Sequence, residues 1–234
     1  MNTTCQLLTA ILLGALLFSC EKDNYDPPSA RLTGRLLYQG EPIYVEYDRV
    51  SYELYQDGFG KTGPLGSTFT PEGEFSQLLF DGEYKMIIPI GQGPFIPLRN
   101  SVGAADTLLV DLRGSEEIEV EVTPYWMIRN PQFRKGEQNS ISGTFSLEQI
   151  ATGENAREIE SATLYVSKTT FANSQTNVAT ASIVGGDIPD MNNVALRVGV
   201  PELQPIQNYV FASIGVKFVD VEDLIFSPTQ RVDL

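Results

Sequence analysis

Histidine is absent from all 234 residues. Without it, neither a Ser-His-Asp nor a Cys-His nucleophile can be assembled. Almost all zinc and iron sites also lose a usual ligand. Cysteine occurs twice, at Cys5 and Cys20. Basic residues are scarce: 16 Lys and Arg stand against 30 Asp and Glu, a net charge of −14. Nothing in such a chain releases counterions from phosphates, so nucleic acid is excluded as a partner. Anionic headgroups are equally unsuited, and the charge mainly serves solubility. Tryptophan occurs once, at Trp126. Beyond the first twenty residues, no apolar run approaches the roughly 20 residues that cross a bilayer as a helix.

The first residues are different. From Leu7 to Phe18 only Thr9 is polar. That run is too short to span a membrane but suits the h-region of a secretory signal. An amphipathic core helix would show polar residues at helical period, and this run does not. The segment Met1 to Gln6 lacks the usual Lys or Arg. Leu17-Phe18-Ser19-Cys20 follows and resembles a bacterial lipoprotein lipobox. The resemblance implies a signal peptide over 1–19 and lipid on Cys20. Two acyl chains already anchor stably, at about 0.8 kcal/mol per buried methylene. With Cys5 removed and Cys20 lipidated, the mature chain would hold neither a disulfide nor a free thiol.

Glu21-Lys22-Asp23-Asn24-Tyr25-Asp26 and Pro27-Pro28 follow. This stretch cannot bury enough apolar surface to fold and reads as an acidic tether over 20–29. It also resembles the surface-export signal of Bacteroidetes lipoproteins, which implies an outer-membrane location facing the cell exterior.

The rest alternates at period two between Gly, Pro and Asn punctuation, which predicts an all-β chain. Strands are expected at Ala30–Tyr38, Val50–Tyr55, from Gly73-Glu74-Phe75, over Asp81–Ile88, at Leu108–Leu112 and at Ile118–Val122. In the last, Ile118, Val120 and Val122 alternate with Glu117, Glu119 and Glu121, a half-buried strand with one solvated face. Gly34, Gly40-Glu41-Pro42, Gly73-Glu74-Phe75 and Gly82-Glu83-Tyr84 together resemble the carboxypeptidase regulatory-like, or transthyretin-like, domain. The resemblance implies a β-sandwich over 30–123 with Phe75 and Tyr84 pointing inward.

A second sandwich is expected over 124–234. Its strands are Ser140–Leu147, Ala162–Val166, Val194–Val200, Tyr209–Phe218, and the stretch from Leu224 to Val232. Leu147–Glu160 is the best helical candidate, and Thr152-Gly153 interrupts it. Leu203 to Tyr209, opening a long strand, resembles the tyrosine corner of immunoglobulin and fibronectin III sandwiches. It implies that the Tyr209 hydroxyl bonds back to upstream backbone. The whole chain resembles a family of Bacteroidetes surface lipoproteins that pair these two domains and are often encoded beside SusC/SusD-type glycan importers. That resemblance implies a non-catalytic accessory or glycan-binding component of a polysaccharide-uptake system, with no cofactor. The alternative is a structural or adhesive surface module that binds protein at strand edges.

Sugar sites stack a ring on an exposed aromatic face. The candidates are Tyr44 and Tyr47, and Tyr125 and Trp126 at the expected domain junction. On one regular strand, Tyr44 and Tyr47 would face opposite ways. The plainer reading makes Trp126 an interdomain packing residue and nearby Tyr52 a core residue. Glu116, Glu117, Glu119 and Glu121 could supply a carboxylate pair for glycoside hydrolysis, but the alternation puts Glu117, Glu119 and Glu121 on one solvated face. Asp187, Asp190, Asn192 and Asn193, or Asp220, Glu222 and Asp223, carry calcium-type oxygen ligands without the spacing of a calcium loop.

Overall fold

The computed structural model describes residues 26–58 and 63–234. The expected signal peptide, Cys20 and the first part of the tether lie outside the described residues. The protein is nearly all β, with two packed sandwiches. Among the described residues no helix is long and apolar enough to cross a membrane.

The first half contains β1 (Ala30–Tyr38), β2 (Glu41–Pro42), β3 (Tyr44–Val45), β4 (Ser51–Gln56) and β5 (Leu65–Thr68). It continues with β6 (Glu74–Leu79), β7 (Gly82–Ile87), β8 (Leu108–Leu112) and β9 (Ser115–Glu121). One sheet has β1 at its centre, antiparallel to β2 and β6 and parallel to β9. The other runs β5-β4-β7-β8. Alternation decides which residues meet between them: Leu32, Leu36, Tyr52, Leu54, Phe75, Tyr84 and Met86 are all buried. Tyr52 packs tilted against Phe69 and Phe75, with both centroid distances at 4.9 Å, in the range where aromatic pairs add about 0.5–1.5 kcal/mol beyond their buried area. Gly34 permits this packing. A Cβ there would lie 2.5 Å from the Phe75 ring and 2.6 Å from the Ile118 carbonyl oxygen.

The second half contains β10 (Trp126–Gly136), β11 (Ser140–Gln149), β12 (Ile159–Ser167), β13 (Ala179–Val184), β14 (Val194–Gly199), β15 (Tyr209–Phe218), β16 (Ile225–Phe226) and β17 (Gln230–Asp233). One sheet runs β10-β11-β14. The other runs β13-β12-β15-β16, with β17 also on β15. On β15, Val210, Ala212, Ile214, Val216 and Phe218 are completely buried, as the alternation predicts. The helical candidate over 147–160 is instead the end of β11, a single 3₁₀ turn at Gly153–Asn155 and the start of β12.

One further expectation is corrected. The Tyr209 hydroxyl makes no corner bond. Its half-buried ring lies 4.0 Å beneath the Arg231 guanidinium and edge-on to Phe211. The bond to an upstream carbonyl is found at Tyr84, whose hydroxyl donates to Phe80 O at 2.9 Å. β10 was not foreseen from Trp126 onward. Asn130, at φ 50°, and Pro131 interrupt its alternation, and the register with β11 shifts between Arg129 and Gln132, as a bulge requires.

The two sandwiches share one hydrophobic core. β3 leaves the first sandwich and pairs antiparallel with β16, Tyr44 opposite Phe226 and Val45 opposite Ile225, so it forms the edge of the second domain's larger sheet. Val45 N–H still donates to Pro71 O of the first domain at 3.1 Å. Val45 and Ile225 are both buried, and burying such a side chain stabilises by about 1.5–3 kcal/mol. A backbone bridge between Phe95 and Pro124 also joins the two halves.

Candidate functional site

The seam is where the exposed aromatics gather. After β3 the strand alternation fails, because Val45 and Glu46 are both buried. Asp48 then takes a left-handed conformation, φ 57°. Tyr47 is therefore pushed outward and is 48% exposed, while Tyr44 stays half-buried against Phe226 and Tyr165.

Glu46 explains what faces Tyr47. A buried carboxylate needs hydrogen-bond donors, and Glu46 accepts from Ser174 N–H of the second domain at 2.9 Å. Asn173 tightens the same loop, its side-chain oxygen accepting from Gln175 N–H at 2.9 Å and Thr176 N–H at 2.7 Å. Ser213 Oγ holds the loop from beneath by donating to Ala172 O. So fixed, the loop presents Phe171, 39% exposed, with its ring centroid 4.5 Å from that of Tyr47 at an interplanar angle of 47°.

Two depressions share Tyr44 and Phe226 as a common wall, and one of them contains this pair. One is a cleft of about 300 Å³ that also includes Glu41, Arg129, Asn130 and Pro131. The other is a shallow hollow of about 20 Å³ containing Tyr47, Glu72, Phe171 and Asn173. Around that shared wall, here called the seam groove, aromatic rings lie beside carboxylate, guanidinium and amide groups, a usual composition for a ligand site.

Arg129 organises the cleft. Its Nη1 pairs with Glu41 of the first domain, and its Nε pairs with Glu148 at 2.6 Å. Burial alone would lower its pKa, but the hydrogen bonds it donates to Glu148 and Glu41 carry it above its ordinary value. A second buried acid crosses the seam in the opposite sense to Glu46. Asp223 is 4% exposed and accepts from Gly93 N–H at 2.6 Å. Burial pushes its pKa up, with the Glu222 charge adding to the rise. The Gly93 bond and the charges of Lys217 and Arg49 oppose it.

The structure brings Tyr44 and Tyr47 together around one groove and leaves Tyr125 and Trp126 out of it. Tyr125 is core: its ring meets Phe218 edge-on at 5.8 Å, and the Arg157 guanidinium lies 5.4 Å from its centroid. Burial raises its pKa. No face is left for a sugar. Trp126 is half-buried, and its indole N–H donates to Arg157 O at 2.8 Å. It is a packing residue beside the junction. Phe171, Arg129 and Glu72 were not foreseen. For Phe171 a signal existed: a lone aromatic in the polar run from Ser167 to Asn177.

The acidic candidates are structural. Glu117, Glu119 and Glu121 lie on the solvated face of β9, and Glu116 is exposed near its start. The Asp190 carboxylate accepts from Asn192 N–H at 2.8 Å in a local turn. Among the described residues no group of three or more carboxylate or thiol side chains is placed to hold a metal.

Comparison with known proteins agrees with this architecture. Residues 30–123 match the N-terminal domain of a protein family of unknown function, DUF3823, and residues 126–231 match its C-terminal domain, DUF3823_C. A DUF3823 family protein from Parabacteroides merdae is 30% identical, with a TM-score of 0.75 over 89% of this chain and 100% of that one. One from Bacteroides ovatus is 24% identical, with a TM-score of 0.74 over 88% and 99%. A Bacteroides uniformis protein named, provisionally, a carbohydrate binding protein shares the fold at 16% identity, with a TM-score of 0.67 over 88% and 100%. Among curated proteins none matches the chain.

Proposed function

We propose that this chain, which belongs to the DUF3823 family, is a non-catalytic surface lipoprotein that binds carbohydrate along its domain seam. In this reading lipid on Cys20 anchors it in the outer membrane, facing the exterior, and the acidic stretch over 20–29 tethers it. It acts as an accessory component of a polysaccharide-uptake system, beside SusC/SusD-type importer proteins.

The observation that carries the binding reading is the Tyr47–Phe171 pair. Two large aromatic rings stay exposed in contact with each other although a shared core lies next to them. Rings with an apolar body beside polar neighbours suit an amphipathic ligand, and a pyranose offers an apolar C–H face with hydroxyls around its rim. The naming of one fold relative for carbohydrate binding supports the same reading.

Affinity electrophoresis of the mature chain against a panel of soluble polysaccharides tests this. Retardation by at least one polysaccharide, abolished in the Tyr47→Ala/Phe171→Ala double variant and kept in Trp126→Ala, is expected. Retardation unaffected by the double variant would move the site elsewhere, and no retardation by any polysaccharide would refute glycan binding. For the anchor, palmitate label should be incorporated in cells and lost in Cys20→Ala.

A further inference from the structure

We infer that the seam groove selects uncharged polysaccharide and rejects chains bearing uronate or sulfate groups, an inference that rests on reading this groove as the glycan site. The argument is electrostatic and local. Among the described residues, the only guanidinium lining the groove is that of Arg129, and two carboxylates already engage it: Glu41 at Nη1 and Glu148 at Nε. Glu72 lines the other half of the groove, with no cation among the described residues that line it. Glu46 lies buried against the loop that carries Phe171 and Asn173, accepting from Ser174 N–H. Arg49 is not part of the lining; with the Gln175 amide turned to satisfy both groups, its guanidinium donates to the Gln175 side-chain oxygen at 2.9 and 3.1 Å.

An anionic sugar entering the groove would therefore have to displace an acidic partner from Arg129 or leave its own charge among carboxylates. Like charges at such separations disfavour association. Sugar hydroxyls meet no such conflict. They can donate to Glu41 and Glu72 and accept from the guanidinium N–H groups that the two ion pairs leave over. The net charge of −14 adds a long-range repulsion of polyanions, which falls off over about 8 Å at physiological salt.

The test compares neutral probes (glucan, xylan, mannan and galactan) with acidic ones (polygalacturonate, alginate, hyaluronan and chondroitin sulfate) on the mature chain at about 50 mM salt. At least one neutral polysaccharide should bind, with every acidic one at least tenfold weaker. Glu72→Lys, at an exposed position, should narrow that gap severalfold, and so should raising the salt to about 0.5 M. An acidic polymer that binds as tightly as the best neutral one, and loses binding in Tyr47→Ala/Phe171→Ala, would overturn the selectivity and leave the glycan reading standing. Failure of all probes to bind would overturn both.

Discussion

Asp223 offers a quantitative check on how the two sandwiches are joined. Its carboxylate crosses the seam to accept the Gly93 N–H, in the loop that leads to the buried Phe95. Asp223→Ala removes the acceptor and leaves that N–H in a buried position without a partner. The desolvation cost is about 1–3 kcal/mol, or a fall in Tm of roughly 2–4 °C per kcal/mol for a domain pair of this size. Asp223→Asn keeps an oxygen in the same place and should stay within about 1 kcal/mol of wild type at pH 7. The two variants also separate charge from hydrogen bonding. Burial raises the Asp223 pKa in the fold, so the folded state takes up its proton more readily than the unfolded chain, whose value is about 3.9. Below the folded pKa the protonated form is favoured, so this group's contribution to stability rises as pH falls towards about 3.9 and declines again as pH rises through the folded pKa. Asn cannot titrate. Wild type should therefore gain on Asp223→Asn as pH is lowered from 7 to about 4.5, read from urea unfolding at each pH. An Asn variant as damaged as the Ala variant at pH 7, with a gap flat in pH, would refute the reasoning.

Two other perturbations address the frame of the site. Gly73, at φ 72° and facing the Ile43 carbonyl where a Cβ would fall, should lose more than about 2 kcal/mol as Gly73→Ala, since it combines left-handed strain with a backbone collision; thermal unfolding measures this. Arg129→Ala removes both ion pairs of β10, one to Glu41 on β2 and one to Glu148 on β11. It should cost about 1–2 kcal/mol in low salt and clearly less in 1 M salt, as paired urea titrations would report.

The parts of the fold that could be read from sequence were those where one face is buried and the other wet. β15 is the clearest case, with its five inward residues at strict period two. Gly82-Glu83-Tyr84 was legible for a different reason: its turn needs Gly82, and Tyr84 fills the sandwich. β10 was hidden because a bulge at Asn130-Pro131 breaks the period that identifies strands. β13 was hidden by small residues, Ala-Thr-Ala-Ser, whose contrast between faces is faint. β3 has two residues and belongs to the other domain's sheet, a pairing that no local pattern encodes. The site was half legible for the same reason. Tyr44 and Tyr47 stand out in the sequence, but their relative direction depends on the buried Glu46, and their partner Phe171 arrives through a long-range bond to Ser174. Tyr125 and Trp126 were equally conspicuous as residue types. Only packing separates a buried ring from a presented one.

The most direct measurement is a crystal structure of the mature chain with a bound neutral oligosaccharide. The account predicts a sugar ring against Tyr47 and Phe171, with hydroxyls reaching the Glu41–Arg129 pair or Glu72. A well-ordered oligosaccharide seated on another face, with the seam groove empty, would contradict it.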